Sequence, residues 1–145
     1  MTTVRAAGPA DAHAIARIEE AAAHAPWSPT SVAGHFAAEQ PAWVVEAPGG
    51  EVVGHLLSQV AVDEAEVLTV AVHPAWRRRG LAARLLAHAG QAWKRRGVRR
   101  AFLEVRDDNH PARRLYEGAG WSHVGCRSAY YRDGCSAALY RWEVQ

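Results

Sequence analysis

Hydrophobic positions recur at helical spacing in two long segments of the chain, residues 9–23 and 81–97. Their apolar faces are formed by Ile15, Ile18 and Ala22 in the first segment and by Leu81, Leu85, Ala89 and Trp93 in the second. Between them, Ser28 followed by proline is typical of a helix start and predicts a helix to about Glu39. A short helix is predicted from Asn109 to Glu117, before two glycines. The pattern thus predicts four helices.

Apolar and β-branched runs predict the strands, and turn residues separate them. Pro48-Gly49-Gly50 and Asp133-Gly134 are typical of turns between paired strands. Besides a strand at the N-terminus, the predicted strands are Ala42–Ala47, Val52–Val62, Glu66–Val72, Arg100–Val105, Trp121–Arg132 and Ala137–Val144. The element order is βααβββαβαββ. Its central strand–helix–strand passage requires a parallel pair and its hairpins require antiparallel ones, so we predict an α/β (α+β) fold with a mixed sheet.

Length and composition set the class of protein. The 145 residues are 49% hydrophobic, enough for one domain spanning residues 1–145 with its own core. Cys126 and Cys135 are too few for a secreted disulfide scaffold, and we interpret both as free thiols. Neither a signal peptide nor a membrane-length apolar run is seen, and the eight histidines show no metal-ligand spacing. We expect a cytoplasmic protein without a metal or membrane partner, either a monomer or a weak dimer.

Positive charge is concentrated although the formal net charge is only +2. Basic residues cluster at 77–79, at 94–100 and at 113–114, which favours local binding of anions. A nucleic-acid-binding module is one alternative. Apolar helical positions interrupt the basic residues, however, and no helix-turn-helix, zinc-finger or RNA-binding aromatic pattern is present. We therefore predict no nucleic-acid partner.

The segment Arg77-Arg78-Arg79-Gly80-Leu81-Ala82 lies where a predicted strand leads into a helix. Backbone N–H groups and the helix dipole converge at such a point, which favours phosphate. Gly80 permits a positive φ, and Ala82 leaves room for an anion near the first helical turn. The segment lacks the lysine of an ATP-binding P-loop and the three glycines of a dinucleotide site. The sequence predicts a pyrophosphate ligand of another kind.

The stretch from Leu68 to Leu86 resembles the central motif of the GNAT acetyltransferases, Q/R-x-x-G-x-G/A after a strand. The resemblance implies a sheet that is mostly antiparallel, with a central splayed parallel strand pair and helices on both faces. It also implies acetyl-CoA as co-substrate. The implied contacts are Val70, Ala71 and Val72 with the pantetheine arm, and Arg78, Arg79, Gly80, Leu81, Ala82 and Ala83 with the pyrophosphate.

A second set of matches lies further along the chain. Alternation places Glu104 with Phe102 on one face of a strand, and an Asn and a Leu-Tyr-Glu-x-x-Gly-Trp segment follow. Glu-Val-Arg-x-x-Asn with Leu-Tyr-Glu resembles the RimI-type GNAT subgroup, which acetylates the N-terminal alanine of a ribosomal protein. That resemblance implies Glu104 as general base, Tyr116 as general acid and Asn109 as a coenzyme contact. Without it, these residues read equally well as a salt-bridging Glu, a core Tyr and an N-cap.

The chemistry implied by the resemblance needs both groups. An α-amine has a pKa of about 8, so most of it is protonated at neutral pH and cannot attack a thioester until a base removes the proton. The departing thiolate needs an acid, and a neutral phenol can supply the proton. Direct attack within a ternary complex then needs no covalent enzyme intermediate. The implied acceptor is a protein N-terminus, with a ribosomal protein as partner.

The acceptor itself stays open at this stage. The subgroup has an acidic-Asp-Ala step where this chain has Cys135-Ser136-Ala137, which puts its peptide specificity in question. A small amine such as a polyamine or an antibiotic is the alternative acceptor, and a non-catalytic acyl-CoA-binding module is the alternative class. Candidate walls of an acceptor cleft are Trp27, Asp63, Glu64 and Tyr130.

Overall fold

The computed structural model describes residues 1–144, which form a mixed α/β structure around one seven-stranded sheet. The strands are β1 (Thr3–Ala6), β2 (Ala42–Glu46), β3 (Val52–Ala61), β4 (Glu64–Val72), β5 (Arg100–Arg106), β6 (Ser122–Arg127) and β7 (Ala137–Glu143). Their order in the sheet is β1-β2-β3-β4-β5-β7-β6. Within the described residues only β4 and β5 pair in parallel. The predicted mixed, mostly antiparallel sheet is confirmed.

Helices pack on both faces of this sheet. They are α1 (Ala12–Ala22), α2 (Pro29–Ala37), α3 (Leu81–Arg95) and α4 (His110–Gly118). Trp43 and Val45 point into a large core with α3, whereas the alternate residue Val44 packs in a smaller core with Ile15 of α1 and Val32 of α2. Alternation along β2 therefore supplies both cores. No helix of residues 1–144 is long and apolar enough to cross a bilayer.

The central parallel pair separates after three residue pairs. Glu64 faces Arg100 and Glu66 faces Phe102, and beyond them β4 and β5 diverge. The register between β3 and β4 shifts between Leu57 and Ser58, which leaves Leu68 without a partner. Such a bulge bends a strand and increases its twist. The remainder of β4 thus stays paired with β3 while its other edge opens.

Four predicted boundaries need correction. The first helix begins at Ala12 and not at Pro9, because Pro9–Asp11 form a 3₁₀ turn. The penultimate strand ends at Arg127 and not at Arg132, because residues 128–136 form a loop held by side chains from other elements. The second helix ends at Ala37, two residues earlier than predicted. β4 begins at Glu64 because a two-residue turn closes the β3–β4 hairpin directly. The other elements form where the hydrophobic pattern predicts them.

Candidate active site

The predicted phosphate segment forms a bare helix N-terminus. Gly80, with φ 72° and ψ 18°, precedes α3, and a glycine offers no side-chain cap. The first backbone bond of the helix runs from the Arg84 N–H to the Gly80 carbonyl. The N–H groups of Leu81, Ala82 and Ala83 therefore have no partner within the helix and lie at the positive end of its dipole. The geometry suits an anion.

The side chains of this segment divide into two groups. Leu81 is buried in the core, so only its backbone is available to a ligand. Arg78 and Ala82 line a cavity of ≈ 660 Å³ beside α3, which we call the loop cavity. Arg78 has a φ of 64°, and the guanidinium of Arg79 lies 4.5 Å from the centre of the Trp76 ring. Positive charge thus surrounds the helix start.

The gap between β4 and β5 forms a second cavity of ≈ 370 Å³, which we call the splay cleft. Val70, Ala71 and Val72 line it, and their other edge is in register with β3. Because successive N–H groups of a strand point to opposite edges, alternate amides of this stretch face the cleft. Val72, Ala82 and Asn109 line both the splay cleft and the loop cavity. The two spaces are therefore continuous.

Glu104 lies at the junction of two spaces. Its side chain is 21% exposed and lines both the splay cleft and a third cavity of ≈ 390 Å³ on the outer face of the sheet, the outer cavity. The Arg127 Nε lies 3.2 Å from its Oε1. Hydrogen bonding to Glu104, with its charge, raises the pKa of Tyr130 above its usual range. Glu104 therefore borders both cavities.

Tyr116 is buried at the inner wall of the splay cleft. Its ring packs against Trp121 and Tyr140, with ring centres 6.4 and 6.0 Å away. Among the described residues no group hydrogen-bonds its hydroxyl, whereas the Tyr140 hydroxyl donates to Glu117 Oε2 at 2.6 Å. Burial, and next the nearby Tyr131, raise the pKa of Tyr116 far above its usual value. The phenol stays protonated at neutral pH and can donate a proton.

Asn109 has a structural role and also faces the cavities. Its Oδ1 accepts a hydrogen bond of 3.2 Å from the Ala112 N–H, so it is the N-cap of α4. The same residue lines the splay cleft and the loop cavity. Its position is compatible with both roles considered from the sequence, helix N-cap and coenzyme contact.

The candidate acceptor walls fare differently. Glu64 lines the outer cavity, and Tyr130 lies beside Glu104. Trp27 instead packs edge-on against His35 at a separate surface, and Asp63 uses its carbonyl to accept from Arg99, 2.7 Å away. Neither of these two residues lines the outer cavity or the splay cleft. Core packing orients the Trp27 ring, and its role as an acceptor wall stays a prediction.

The comparisons with known proteins bear on this architecture. A family model described as the acetyltransferase (GNAT) family matches residues 12–121. The chain belongs to the GNAT acetyltransferase family. The ribosomal protein bS18-alanine N-acetyltransferase of Escherichia coli K12 is 33% identical over 144 residues, covering 96% of this chain and 95% of the relative. The N-alpha-acetyltransferase RimI of Mycobacterium tuberculosis is 36% identical over 121 residues, or 80% and 75% of the two chains.

A solved structure extends the likeness to three dimensions. The ribosomal-protein-S18-alanine N-acetyltransferase from Escherichia coli superposes with a TM-score of 0.93 at 30% identity, covering 100% of this chain and 95% of that one. The RimI-type resemblance and the GNAT fold are thereby confirmed. This GNAT protein is an acetyl-CoA-dependent N-acetyltransferase, and family members use acetyl-CoA as the acetyl donor.

Several residues around the GNAT cleft were not singled out from the sequence. Tyr131 and Arg106 line the splay cleft, and Arg127 contacts Glu104 from β6. Tyr131 carried a signal, since it directly follows Tyr130, a predicted acceptor wall. Arg106 carried one as the Arg of the Glu-Val-Arg match, whereas Arg127 carried none, because its partner Glu104 lies 23 residues away. The Cys135 thiol donates to Asp107 in the connection after β5, and the Ser136 hydroxyl accepts from the Ala129 N–H within its own loop.

Proposed function

We propose that this enzyme acetylates the N-terminal α-amine of a protein, with the N-terminal alanine of a ribosomal protein as acceptor. The observation that carries the proposal is the position of Glu104, where the splay cleft meets the outer cavity. A donor in the cleft and an amine entering from the outer face would meet at this carboxylate. Relatives that are named for that substrate align over almost the whole chain.

Acetyl-CoA would lie along the splay cleft and the loop cavity. The open edge of Val70, Ala71 and Val72 suits the amides of the pantetheine arm, which would bind as an added strand. Arg78, Arg79 and the N–H groups of Gly80, Leu81, Ala82 and Ala83 would hold the pyrophosphate, because they present positive charge and unpaired donors. Asn109 would contact the coenzyme where the two spaces join.

The two reacting side chains would each move one proton. Glu104 takes a proton from the acceptor ammonium, directly or through a water, and the freed amine attacks the thioester carbonyl. The new C–N bond forms, the C–S bond breaks, and Tyr116 protonates the departing coenzyme A sulfur. The second proton, which the nitrogen loses as the amide forms, restores the Tyr116 phenol. A buried, neutral phenol with no competing hydrogen-bond partner among residues 1–144 is suited to protonating the sulfur.

The outer cavity would receive the acceptor. Glu64 and Glu66 join Glu104 along its wall, and Gln59 donates to Glu66 Oε1 at 2.9 Å. These carboxylates attract an ammonium group and would favour a cationic peptide. Because a polyamine carries the same charge, the small-amine alternative is tested alongside the peptide. We place the activity in the cytoplasm and in a single domain of residues 1–145.

The test is coenzyme A release in the presence of three acceptors. They are an alanine-initiated basic peptide, the same peptide with its N-terminus blocked, and a polyamine. We expect turnover only with the free N-terminus, and a mass gain confined to the first residue. Turnover of the blocked peptide, or a polyamine kcat/KM above that of the free peptide, would exclude the α-amine assignment.

A further inference from the structure

Arg106 ends β5, two residues after Glu104 and on the same face of the strand. Its side chain is only 15% exposed, although an arginine at a strand end could extend into solvent. It lines the splay cleft with Tyr131 and Tyr116. A guanidinium so little exposed to solvent needs hydrogen-bond acceptors, and Arg106 has several.

The guanidinium contacts three separate connections. Its two terminal nitrogens donate to Asp133 in the β6–β7 loop at 2.6 and 3.3 Å. Nε donates to Asp108, after β5, at 3.2 Å, and one terminal nitrogen lies 3.0 Å from His24 Nε2 after α1. The positive charge also lies 5.1 Å from the centre of the Tyr131 ring. One side chain thus joins three connections that border the splay cleft.

The β6–β7 loop, residues 128–136, is the connection that most needs such an anchor. It has no ladder hydrogen bonds of its own, and Ala129 adopts a φ of 50°, which is unfavourable for alanine. The loop carries Tyr130, whose pKa the nearby Glu104 carboxylate raises, and Tyr131, which lines the splay cleft. Movement of this loop would displace both rings from the reacting centre.

We propose that Arg106 is a positioning residue that fixes the β6–β7 loop, and through Tyr130 beside Glu104 the acceptor side of the site. The inference rests on the proposed function of the outer cavity. Arg106 would not bind coenzyme or move protons itself. An arginine is required because its planar fork engages Asp133 with two nitrogens while Nε reaches Asp108, whereas a lysine offers a single point charge.

The test compares Arg106→Lys and Asp133→Asn with Arg141→Lys. Arg141 is a matched control because it forms a surface ion pair with Glu143 at 3.0 Å and lines none of the three cavities. We expect Arg106→Lys and Asp133→Asn each to raise the peptide KM about tenfold, as expected for the loss of one charged contact. The calorimetric Kd for acetyl-CoA should stay within about twofold of wild type. The Arg141→Lys enzyme should match wild type in both.

A double variant tests whether the two residues act together. If Arg106 acts by holding Asp133, combining both changes should be no worse than either alone, because each removes the same contact. Additive losses, an unchanged peptide KM in both single variants, or an equally large change in acetyl-CoA Kd would overturn the proposal. Should Arg106→Lys fail to fold, Asp133→Asn alone decides. A wild-type enzyme inactive on the peptide would refute the proposed function instead.

Discussion

Two carboxylates lie on opposite sides of the splay cleft, and their surroundings differ completely. Glu19 of α1 is fully buried and accepts from His55 Nε2 at 2.6 Å, from the Thr69 hydroxyl at 2.8 Å and from the Trp27 N–H at 3.1 Å. Burial alone would raise its pKa, but these partners hold the pKa of Glu19 below its usual range. Glu104 is partly exposed and faces two cavities.

The difference separates a structural carboxylate from one available for chemistry. Glu19 joins α1, the α1–α2 connection, β3 and β4 through groups that leave little capacity for a ligand. Glu104 pairs with Arg127, whose side chain is exposed, and an entering amine can replace such a partner. Thr69 lines the splay cleft and also donates to Glu19. The buried hydrogen bonds of Glu19 therefore adjoin the cleft that Glu104 faces.

The strongest test of this contrast removes the reactive carboxylate. Glu104→Gln should lower kcat by about 10²–10⁴-fold, the range for loss of a general base, because the amide cannot accept the proton. Acetyl-CoA affinity by calorimetry and the thermal midpoint should stay close to wild type. A variant that binds coenzyme normally and turns over as fast as wild type would show that Glu104 is not the base.

The reverse pattern is expected at Glu19. Glu19→Gln should lower the free energy of unfolding by about 3 kcal/mol, because the amide oxygen cannot accept from all three donors and one buried donor loses its partner. Urea denaturation measures the loss, and kcat of the folded fraction should change little. Glu20→Gln on the exposed side of the same helix is the control and should be neutral. A large fall in kcat with unchanged stability would contradict the structural role.

Much of this contrast could be predicted from the sequence, and the rest could not. Alternation of Ala101, Leu103 and Val105 fixed the face on which Glu104 lies, because strand periodicity is local. The Glu19–His55 pair links residues 36 positions apart on a helix and a strand, and no local spacing indicates it. The Arg127 contact and the loop at 128–136 were missed for the same reason. Long-range polar contacts, unlike hydrophobic periodicity, appear only in the folded chain.

A smaller effect is expected at Tyr116, which lines the splay cleft, when stability is measured at alkaline pH. The pKa of Tyr116 is raised above the ordinary value of 10.0, first by burial. The stability from burying the neutral phenol is fully present below pH 10 and is lost as pH rises toward the raised folded pKa. Between those limits, Tyr116→Phe should remove about 1.4 kcal/mol per pH unit from the slope of unfolding free energy. Parallel denaturation series for both proteins would show equal slopes if the phenol were solvated.

The smallest effect is expected at Thr69, which lines the splay cleft and also bonds to Glu19. Thr69→Val removes one donor to Glu19 with little change in shape and should cost about 1 kcal/mol of unfolding free energy. Because the other partners of Glu19 remain, the loss should be well below that of Glu19→Gln. Thr69→Ser, which keeps the hydroxyl, is the control. Equal losses in the valine and serine variants would assign the effect to packing and not to the hydrogen bond.

The early separation of β4 from β5 has a consequence for how the backbone exchanges hydrogen. β4 is the fourth of seven strands, yet beyond Glu66 it is bonded on one side only. In the free protein we expect alternate amide protons between residues 67 and 72 to exchange as quickly as those of an edge strand, while their neighbours stay protected by β3. A pantetheine arm bound in the gap would slow exchange only at those alternate amides. The change in exchange rate on binding would then recur at every second residue.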